Sequence, residues 1–490
     1  MHALYKKLTG SKFRESYIVK LFQKVSFLAL SHVISGLLVL ATTPVLASKL
    51  KPELYGEFSF MESILFVSIL IASMGTEYIG NREVARQKRS AEIVNGILIL
   101  RMAVSLLIYI LLVSWIFLFV DSENVKVLML ICATIVLSVP GIAGWYFLAQ
   151  HKIRVVAITT VCRDLLFFVF IVFFLGDPGI NENMLIQAGI FFTLSRLFFA
   201  AVLFIKLLKI HKFSLHVTYS TYYKIIKDSS PLLYATIIVS LSMNMETFLL
   251  KYFDEIYSLG IYGAFFKQVF YLQLMTISFV VIFFPLLSKA WTENIQKYEK
   301  LANILSEVII FMMLPVAIIG VLNADYFIKT LFSAEYEQGV LTLQVLCLCL
   351  IPMGLQRVLC TGILVSMDKS SRMIALANIA FIFNITVGFL LIGNMQRPDV
   401  GAALTKLFTE ILSLIIAYYI VSKSIKVIDF RMFYCLFPAL VLMILMHFVF
   451  PWENAIMRML SCLLTFTLIY IFIMYKKRYQ TIKEISMMQE

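Results

Sequence analysis

The sequence predicts an all-α protein with many membrane-spanning helices, and three observations carry that prediction. Hydrophobic residues make up 61% of the chain and charged residues only 14%, which is far from the balance of a soluble domain. The apolar residues fall in long solid blocks, whereas a β-barrel shows short alternating segments. The basic residues concentrate in every second break between the blocks. We therefore expect a polytopic α-helical membrane protein.

About fourteen apolar windows reach the length of roughly 20 residues that a helix needs to cross a bilayer. Their approximate bounds are 25–46, 58–79, 93–120, 125–148, 155–175, 184–208, 229–252, 258–287, 302–322, 341–366, 373–393, 400–421, 432–451 and 454–475. An even number of spans places both termini on the same side of the membrane.

The basic residues orient the chain. If the N-terminus is cytoplasmic, 28 of the 42 Lys and Arg lie in predicted cytoplasmic segments, and only 6 lie in the opposite loops. Because cytoplasmic loops are enriched in Lys and Arg, we expect both termini in the cytoplasm. The same bias explains the net charge of +13, so no nucleic-acid partner is expected.

The loop at about 209–228 divides the first twelve spans into two sets of six. A weak internal echo supports the division, because Gly56 and Gly260 each begin a Gly-x-aromatic sequence at the start of a span. Two pseudo-symmetric halves with substrate between them are a common transporter plan. The predicted units are a six-helix half at 1–215, a six-helix half at 216–425, and an accessory helix pair with a cytoplasmic tail at 426–490.

The sequence contains no pattern typical of an enzyme. It has no His, Cys and carboxylate cluster with metal-ligand spacing and no Gly-rich phosphate loop. It also lacks the large extramembrane loop with catalytic acids that a membrane-embedded glycosyltransferase or polymerase usually displays. We therefore expect no catalysis, no cofactor and no metal, and uphill transport would have to use an ion gradient or the membrane potential.

Charged side chains inside apolar spans are informative, because each costs about 2.5–3.5 kcal/mol at a helix centre. Deep cations can line a water-filled cavity and attract an anionic headgroup, and Arg is shaped to bind phosphate oxygens bidentately. The alternative is that they pair internally with acids. The candidate substrate-binding residues are Arg163, Arg196, Lys267, Arg357 and Lys406.

Four of the acids within predicted spans are candidates for coupling or gating. Each is either a proton or sodium site or the counter-ion of a neighbouring Arg. They are Glu77, Asp164, Glu246 and Glu410. Lys267 and Glu246 lie at comparable depths on antiparallel neighbouring spans, so the sequence predicts an ion pair between them that acts as a gate.

Two other pairings follow from helix geometry. Arg163 and Asp164 are adjacent and point about 100° apart, so we do not expect them to pair directly. Lys406 and Glu410 are spaced i and i+4 and can pair on one helix face.

Motifs spread over residues 20–420 resemble those of a known family. They are residues 54–59, 81–86, 259–264, 284–289, 331–336 and 399–404, together with Pro44, Gly75, Lys267 and Glu410. Their order and spacing are similar to the polysaccharide-export branch (O-antigen flippase, Wzx-type) of the multidrug/oligosaccharidyl-lipid/polysaccharide exporter superfamily. The last helix pair is a departure, since many members of this branch have twelve spans, although related lipid II flippases also carry two extra helices.

The resemblance implies a flippase that moves an undecaprenyl-pyrophosphate-linked oligosaccharide repeat unit, of O-antigen or another surface polysaccharide, across the bacterial inner membrane by alternating access. The implied partners are that lipid-linked oligosaccharide, membrane lipids, a polysaccharide polymerase and a chain-length regulator. The alternative within the superfamily is a cation-coupled multidrug exporter. Such an exporter calls for a cavity dominated by acids and aromatic residues, whereas the second half of this chain holds more deep cations than deep acids.

Overall fold

The computed structural model describes residues 12–85, 90–176 and 183–427, together with scattered positions between 438 and 468. Every element within these residues is an α-helix, a 3-10 turn or a π-helical turn. The all-α fold class that the sequence predicts is therefore confirmed.

The described residues up to Ile210 fold into seven α-helices. They are α1 (Lys12–Ser73), α2 (Thr76–Ala85), α3 (Ser90–Phe119), α4 (Glu123–Leu137), α5 (Gly144–Ala149), α6 (Ile153–Val169) and α7 (Asn183–Ile210). A 3-10 turn at Val139–Gly141 links α4 to α5, and a π-helical turn at Phe170–Phe174 extends α6. We call α1–α7 the first helix group.

Seven further α-helices lie within the described residues from Tyr219 to Ser422, and we call them the second helix group. They are α8 (Tyr219–Tyr252), α9 (Ile256–Glu293), α10 (Ile295–Leu322), α11 (Ala324–Leu331), α12 (Val340–Arg357), α13 (Ser370–Asn394) and α14 (Pro398–Ser422). A 3-10 turn at Ala334–Gly339 precedes α12, and a π-helical turn at Val358–Leu364 extends it.

Helix α1 contains two membrane spans separated by a break at Lys51. Its apolar part, Leu30–Ser73, has 44 residues and would be ~66 Å long, about twice the thickness of a bilayer core. Lys51 has φ 60° and ψ 168°, outside the helical region, and Pro52 follows it. A residue before proline is disfavoured in the α conformation, so a break in the helix is expected at Lys51.

Two predicted spans of the first group are bent or divided. The sequence predicts one span at 58–79, but α1 ends at Ser73, and Met74 and Gly75 both take positive φ before α2 begins. The predicted span at 125–148 consists of α4 and the segment after it, joined at an angle of 43° at the turn that contains Pro140. Hydropathy alone does not show such bends, since the apolar run continues through them.

By length and composition, the described residues allow up to twelve membrane spans. Ten helices are long and apolar enough to cross a membrane, and the bent pair makes an eleventh. The break at Lys51 divides the first of these into two. The chain is therefore a multi-pass membrane protein. The predicted spans at 432–451 and 454–475, and with them the count of fourteen, lie outside the described residues except for scattered positions.

The most extensive contact between two helices joins α1 to α9 and so connects the two groups. A Cβ atom on Gly260 would overlap the carbonyl oxygen of Pro52, and one on Gly56 would overlap that of Ile256. Only glycine permits this approach of two backbones, because it has no Cβ. The two glycines of the sequence echo therefore lie at the same helix crossing.

Candidate functional site: a charged cavity between the two helix groups

A cavity of about 360 Å³ lies between the two groups, with walls from α1, α4, α6 and α7 on one side and α8 and α9 on the other. Its polar wall residues are Ser59, Glu62, Ser63, Arg163, Arg196, Asn244, Thr247, Lys267 and Tyr271. Its aromatic wall residues, apart from Tyr271, are Phe66, Phe192, Phe266 and Phe270. Three of the five predicted substrate-binding cations therefore face one cavity.

Asp164 is shared by two arginines on the first-group wall. Arg163 donates to both of its carboxylate oxygens, from Nε at 2.7 Å and from Nη2 at 2.9 Å. Arg196 approaches the same carboxylate at 3.4 Å through Nη1. The side chain of Asp164 is only 2% exposed, whereas those of Arg163 and Arg196 are 22% and 23% exposed. One buried negative charge thus holds two partly exposed positive charges.

The prediction that Arg163 and Asp164 do not pair directly was wrong. Their Cα–Cβ bonds do diverge, but the long arginine side chain folds back along the helix and meets the carboxylate in a bidentate arrangement. Aromatic rings support both guanidinium groups, since Arg196 lies 4.4 Å from the centroid of Phe192 and Arg163 lies 5.2 Å from that of Phe199.

Lys267 of α9 pairs with Glu62 of α1 across the cavity. The ammonium nitrogen donates to both carboxylate oxygens, at 2.8 Å and 2.7 Å. Each of the two side chains is 19% exposed. Because the partners belong to different helix groups, this ion pair ties the groups together at the cavity wall.

The predicted ion pair between Lys267 and Glu246 is absent from the described contacts, and that prediction was wrong. Glu62 was missed because it lies only four residues inside the predicted edge of its span and so resembles an interfacial residue. A signal for it exists, since Ser59, Glu62 and Ser63 are spaced i, i+3 and i+4 and form one polar stripe on a helix.

Glu246 lies instead in a buried cluster within the second group. Asn384 donates to its Oε1 at 2.9 Å, and the ammonium of Lys406 lies 4.0 Å away. Lys406 also lies 3.5 Å from Glu410, so the predicted i, i+4 pair is present. The ammonium lies 5.3 Å from the ring centroid of Phe266, whose side chain also lines the cavity. The cluster is therefore just behind the cavity wall.

Lys406 and Arg357 are not among the residues that line this cavity, so the structure does not bring them together with the other three cations, and their part in substrate binding stays a prediction. Lys406 is almost fully buried between its two carboxylates. Arg357 donates from Nη2 to Oε1 of Gln273 at 2.9 Å, a contact between α12 and α9. Their positions along the predicted spans place both cations deep in the membrane. Helix packing, however, directs their side chains into the interior of the second helix group.

Glu77 is not a buried acid as the sequence predicts, because 52% of its side chain is exposed. The turn at Gly75 ends the span before this residue and places it at the start of α2. Arg101, by contrast, is fully buried. It donates to Oγ1 of Thr76 at 2.9 Å and to the carbonyl oxygen of Ile142 at 3.2 Å. It holds together the turn before α2 and the bend after α4.

Ion pairs connect the two groups at both ends of the bundle. At one end, which we call the Lys51 end, Lys51 meets Glu335 at 3.0 Å and Lys251 meets Glu57 at 2.7 Å. At the opposite end, which we call the Arg82 end, Arg82 meets Asp228 at 2.9 Å. The cavity lies between two sets of contacts that bridge the groups.

The sequence that forms these helix groups matches a known family. A family model described as polysaccharide biosynthesis protein matches residues 21–291, which is more than half of the 490-residue chain. The chain belongs to the polysaccharide biosynthesis protein family. No curated protein sequence is similar enough to match.

Solved structures of a lipid II flippase and of MOP superfamily transporters share the fold of this chain. Lipid II flippase MurJ in an inward closed conformation matches with a TM-score of 0.69 and 13% identity, over 93% of this chain and 99% of that one. An inward-facing multidrug resistance MATE family transporter matches with a TM-score of 0.64 and 12% identity, over 81% and 98%.

A MOP superfamily transporter from Pyrococcus furiosus, described as having a binding pocket of reverse polarity, also matches. Its TM-score is 0.57 and its identity 14%, over 81% of this chain and 94% of that one. At such identities the likeness shows the fold alone, so the function has to be argued from the cavity.

Proposed function

We propose that this protein is a flippase for an undecaprenyl-pyrophosphate-linked oligosaccharide repeat unit, of O-antigen or another surface polysaccharide, in the bacterial inner membrane. The observation that carries the proposal is the charge of the cavity. Arg163, Arg196 and Lys267 face or border it with Asp164 and Glu62, so the formal charge of this set is +1.

A positive cavity inside a membrane protein favours an anion. Electrostatic attraction is stronger where water is scarce and the dielectric constant is low. A guanidinium group without a full counter-charge therefore raises the affinity of the cavity for a phosphate group. Arg196 is the least compensated of the three cations, because its single ion contact in the described residues is 3.4 Å long and Asp164 is shared with Arg163. We assign the first contact with the diphosphate to Arg196.

The rest of the wall suits sugars. Hydroxyl and amide groups of Ser59, Ser63, Asn244 and Thr247 can exchange hydrogen bonds with sugar hydroxyls, and aromatic faces can pack against sugar rings. A volume of about 360 Å³ lies within the usual range for ligand sites and holds a headgroup, not a polyprenyl chain. In this proposal the lipid tail stays in the bilayer while the headgroup crosses.

Alternating access would come from rocking of the two helix groups, which correspond to the proposed six-helix units 1–215 and 216–425. The ion pairs at the Lys51 end and those at the Arg82 end would open in turn. We propose that both termini face the cytoplasm, which places the Arg82 end on that side. The polymerase and chain-length regulator of the same pathway are the proposed partners.

A gene deletion in the source cell tests the proposal against a drug exporter. We expect loss of surface polysaccharide, accumulation of the lipid-linked repeat unit, and unchanged sensitivity to cationic dyes. The intact gene serves as the complementing control, and the Arg196→Lys variant should complement only in part. Normal polysaccharide together with increased dye sensitivity would show that the protein is a multidrug exporter and that the proposed function is wrong.

A further inference from the structure

We propose that Glu62 is an internal competitor for the anionic headgroup. In the empty protein its carboxylate occupies the ammonium of Lys267, and the second phosphate of a diphosphate later takes that place. The inference rests on the proposed function and adds how the same cavity selects and releases its substrate.

The geometry of the pair resembles that of a bound anion. Both carboxylate oxygens of Glu62 accept from the same ammonium, at 2.8 Å and 2.7 Å, and Lys267 contacts no other carboxylate in the described part of the chain. Lys267 is the one cation that the second helix group contributes to the described cavity wall. Glu62 takes two of the three N–H donors of this ammonium, so a phosphate group that binds it through more than one oxygen has to displace Glu62.

The cations on the two walls of the cavity therefore differ in how free they are to bind an anion. Arg196 keeps unpaired N–H groups, since its one described ion contact uses Nη1 alone. Lys267 is neutralised by a partner of its own. A diphosphate can bind Arg196 with one phosphate group and displace Glu62 with the other. A monophosphate has one anionic group and gains less from the exchange, so the pair favours diphosphates.

The exchange also gives a route for release. Removing one partner of a partly buried ion pair is costly, because it leaves an uncompensated charge. When a phosphate replaces Glu62, Lys267 keeps an anionic partner throughout, and when the phosphate leaves, Glu62 returns. The returning carboxylate blocks rebinding. We therefore expect Glu62 to weaken affinity and to speed turnover.

Binding of farnesyl diphosphate to the full-length purified protein tests this directly. We expect Glu62→Gln to lower the dissociation constant about tenfold, because Lys267 is then always free to bind. The matched control is Glu123→Gln, whose carboxylate pairs with Lys126 at 2.8 Å within α4, away from the cavity wall and from the ion pairs that join the two groups. This control should leave affinity unchanged. A purely structural role for Glu62 would not produce tighter binding.

Further variants test whether the gain in affinity comes from the ammonium of Lys267. The double variant Glu62→Gln/Lys267→Gln should bind no better than Lys267→Gln, because the gain requires the ammonium. With farnesyl monophosphate the gain from Glu62→Gln should be at most about twofold. Glu62→Asp keeps the charge on a shorter side chain, so it should give a smaller gain in affinity. This variant replaces Glu62→Gln in the test if Glu62→Gln does not fold.

Two results would overturn the inference, and they are distinguishable. If the native protein binds the diphosphate, Arg196→Gln weakens that binding, and Glu62→Gln leaves it unchanged, then Glu62 is not a competitor although the proposed function stands. If neither the native protein nor Glu62→Gln binds the diphosphate, the proposed function fails and the inference fails with it.

Discussion

Arg82 in α2 and Asp228 in α8 form an ion pair at 2.9 Å that joins the two helix groups at the Arg82 end. The same arginine contacts Glu83, and Lys224 lies 3.7 Å from that second acid. Both partners are partly exposed, so the pair contributes only about 0.2–1 kcal/mol. Even a small difference can shift the balance between two conformations that are close in free energy.

We predict that Arg82→Glu opens the Arg82 end more often, because it places two carboxylates together where a pair existed. The reversed pair Arg82→Glu/Asp228→Arg should restore the native balance, and this recovery separates the ion pair from unrelated effects. Spin-label distances across the Arg82 end measure the outcome. A distance distribution that stays native in Arg82→Glu would show that the pair does not hold this end closed.

The crossing of α1 and α9 predicts a second result. Gly260→Ala should destabilise the protein by about 2 kcal/mol or more, because the new methyl group would overlap the Pro52 carbonyl and backbone cannot yield as a side chain does. Gly176→Ala is the control, since no atom of the described residues lies within 4 Å of the Cβ position there. Thermal unfolding in detergent compares the two. Equal melting temperatures would mean that the helices separate without cost.

The charged residues show what the sequence can predict and where it stops. Arg163, Arg196 and Lys267 were found because a charge within an apolar run is costly and so needs a reason. Glu246 was paired with the wrong lysine because residue counts give depth along a span but not rotation about the helix axis. That rotation depends on packing between helices, which turns Glu246 toward Asn384.

The helix bounds show the same limit. The break at Lys51 could be expected, since Pro52 follows it in a short polar link. The turn at Gly75 could not, because an apolar run continues into it. Its position depends on the backbone of Leu233, which lies so close that a Cβ at Gly75 would be 2.8 Å from it. Contacts between segments that are far apart in the sequence determine where such turns form.

The buried cluster behind the cavity predicts a third result. Lys406→Met should destabilise the protein by about 3 kcal/mol or more, because it leaves the carboxylates of Glu246 and Glu410 without their cation. Adding Glu246→Gln should recover much of the loss by removing one buried charge. Lys423→Met, at the exposed end of α14, is the control and should stay within about 0.5 kcal/mol of the native protein. Thermal unfolding of the three variants measures these differences.

The last prediction separates cavity arginines from packing arginines. Arg196→Gln should reduce transport of a diphosphate-linked sugar in proteoliposomes at least tenfold while the melting temperature stays near native, because its side chain faces the cavity and has one long ion contact. Arg196→Lys should restore part of the activity, since the charge remains but the planar fork is lost. Arg357→Gln should instead lower the melting temperature and leave the dissociation constant for farnesyl diphosphate unchanged, because Arg357 is held by Gln273 away from the cavity. If Arg357→Gln weakens binding as strongly as Arg196→Gln does, the headgroup reaches the second helix group beyond Lys267, and the site assigned here is too small.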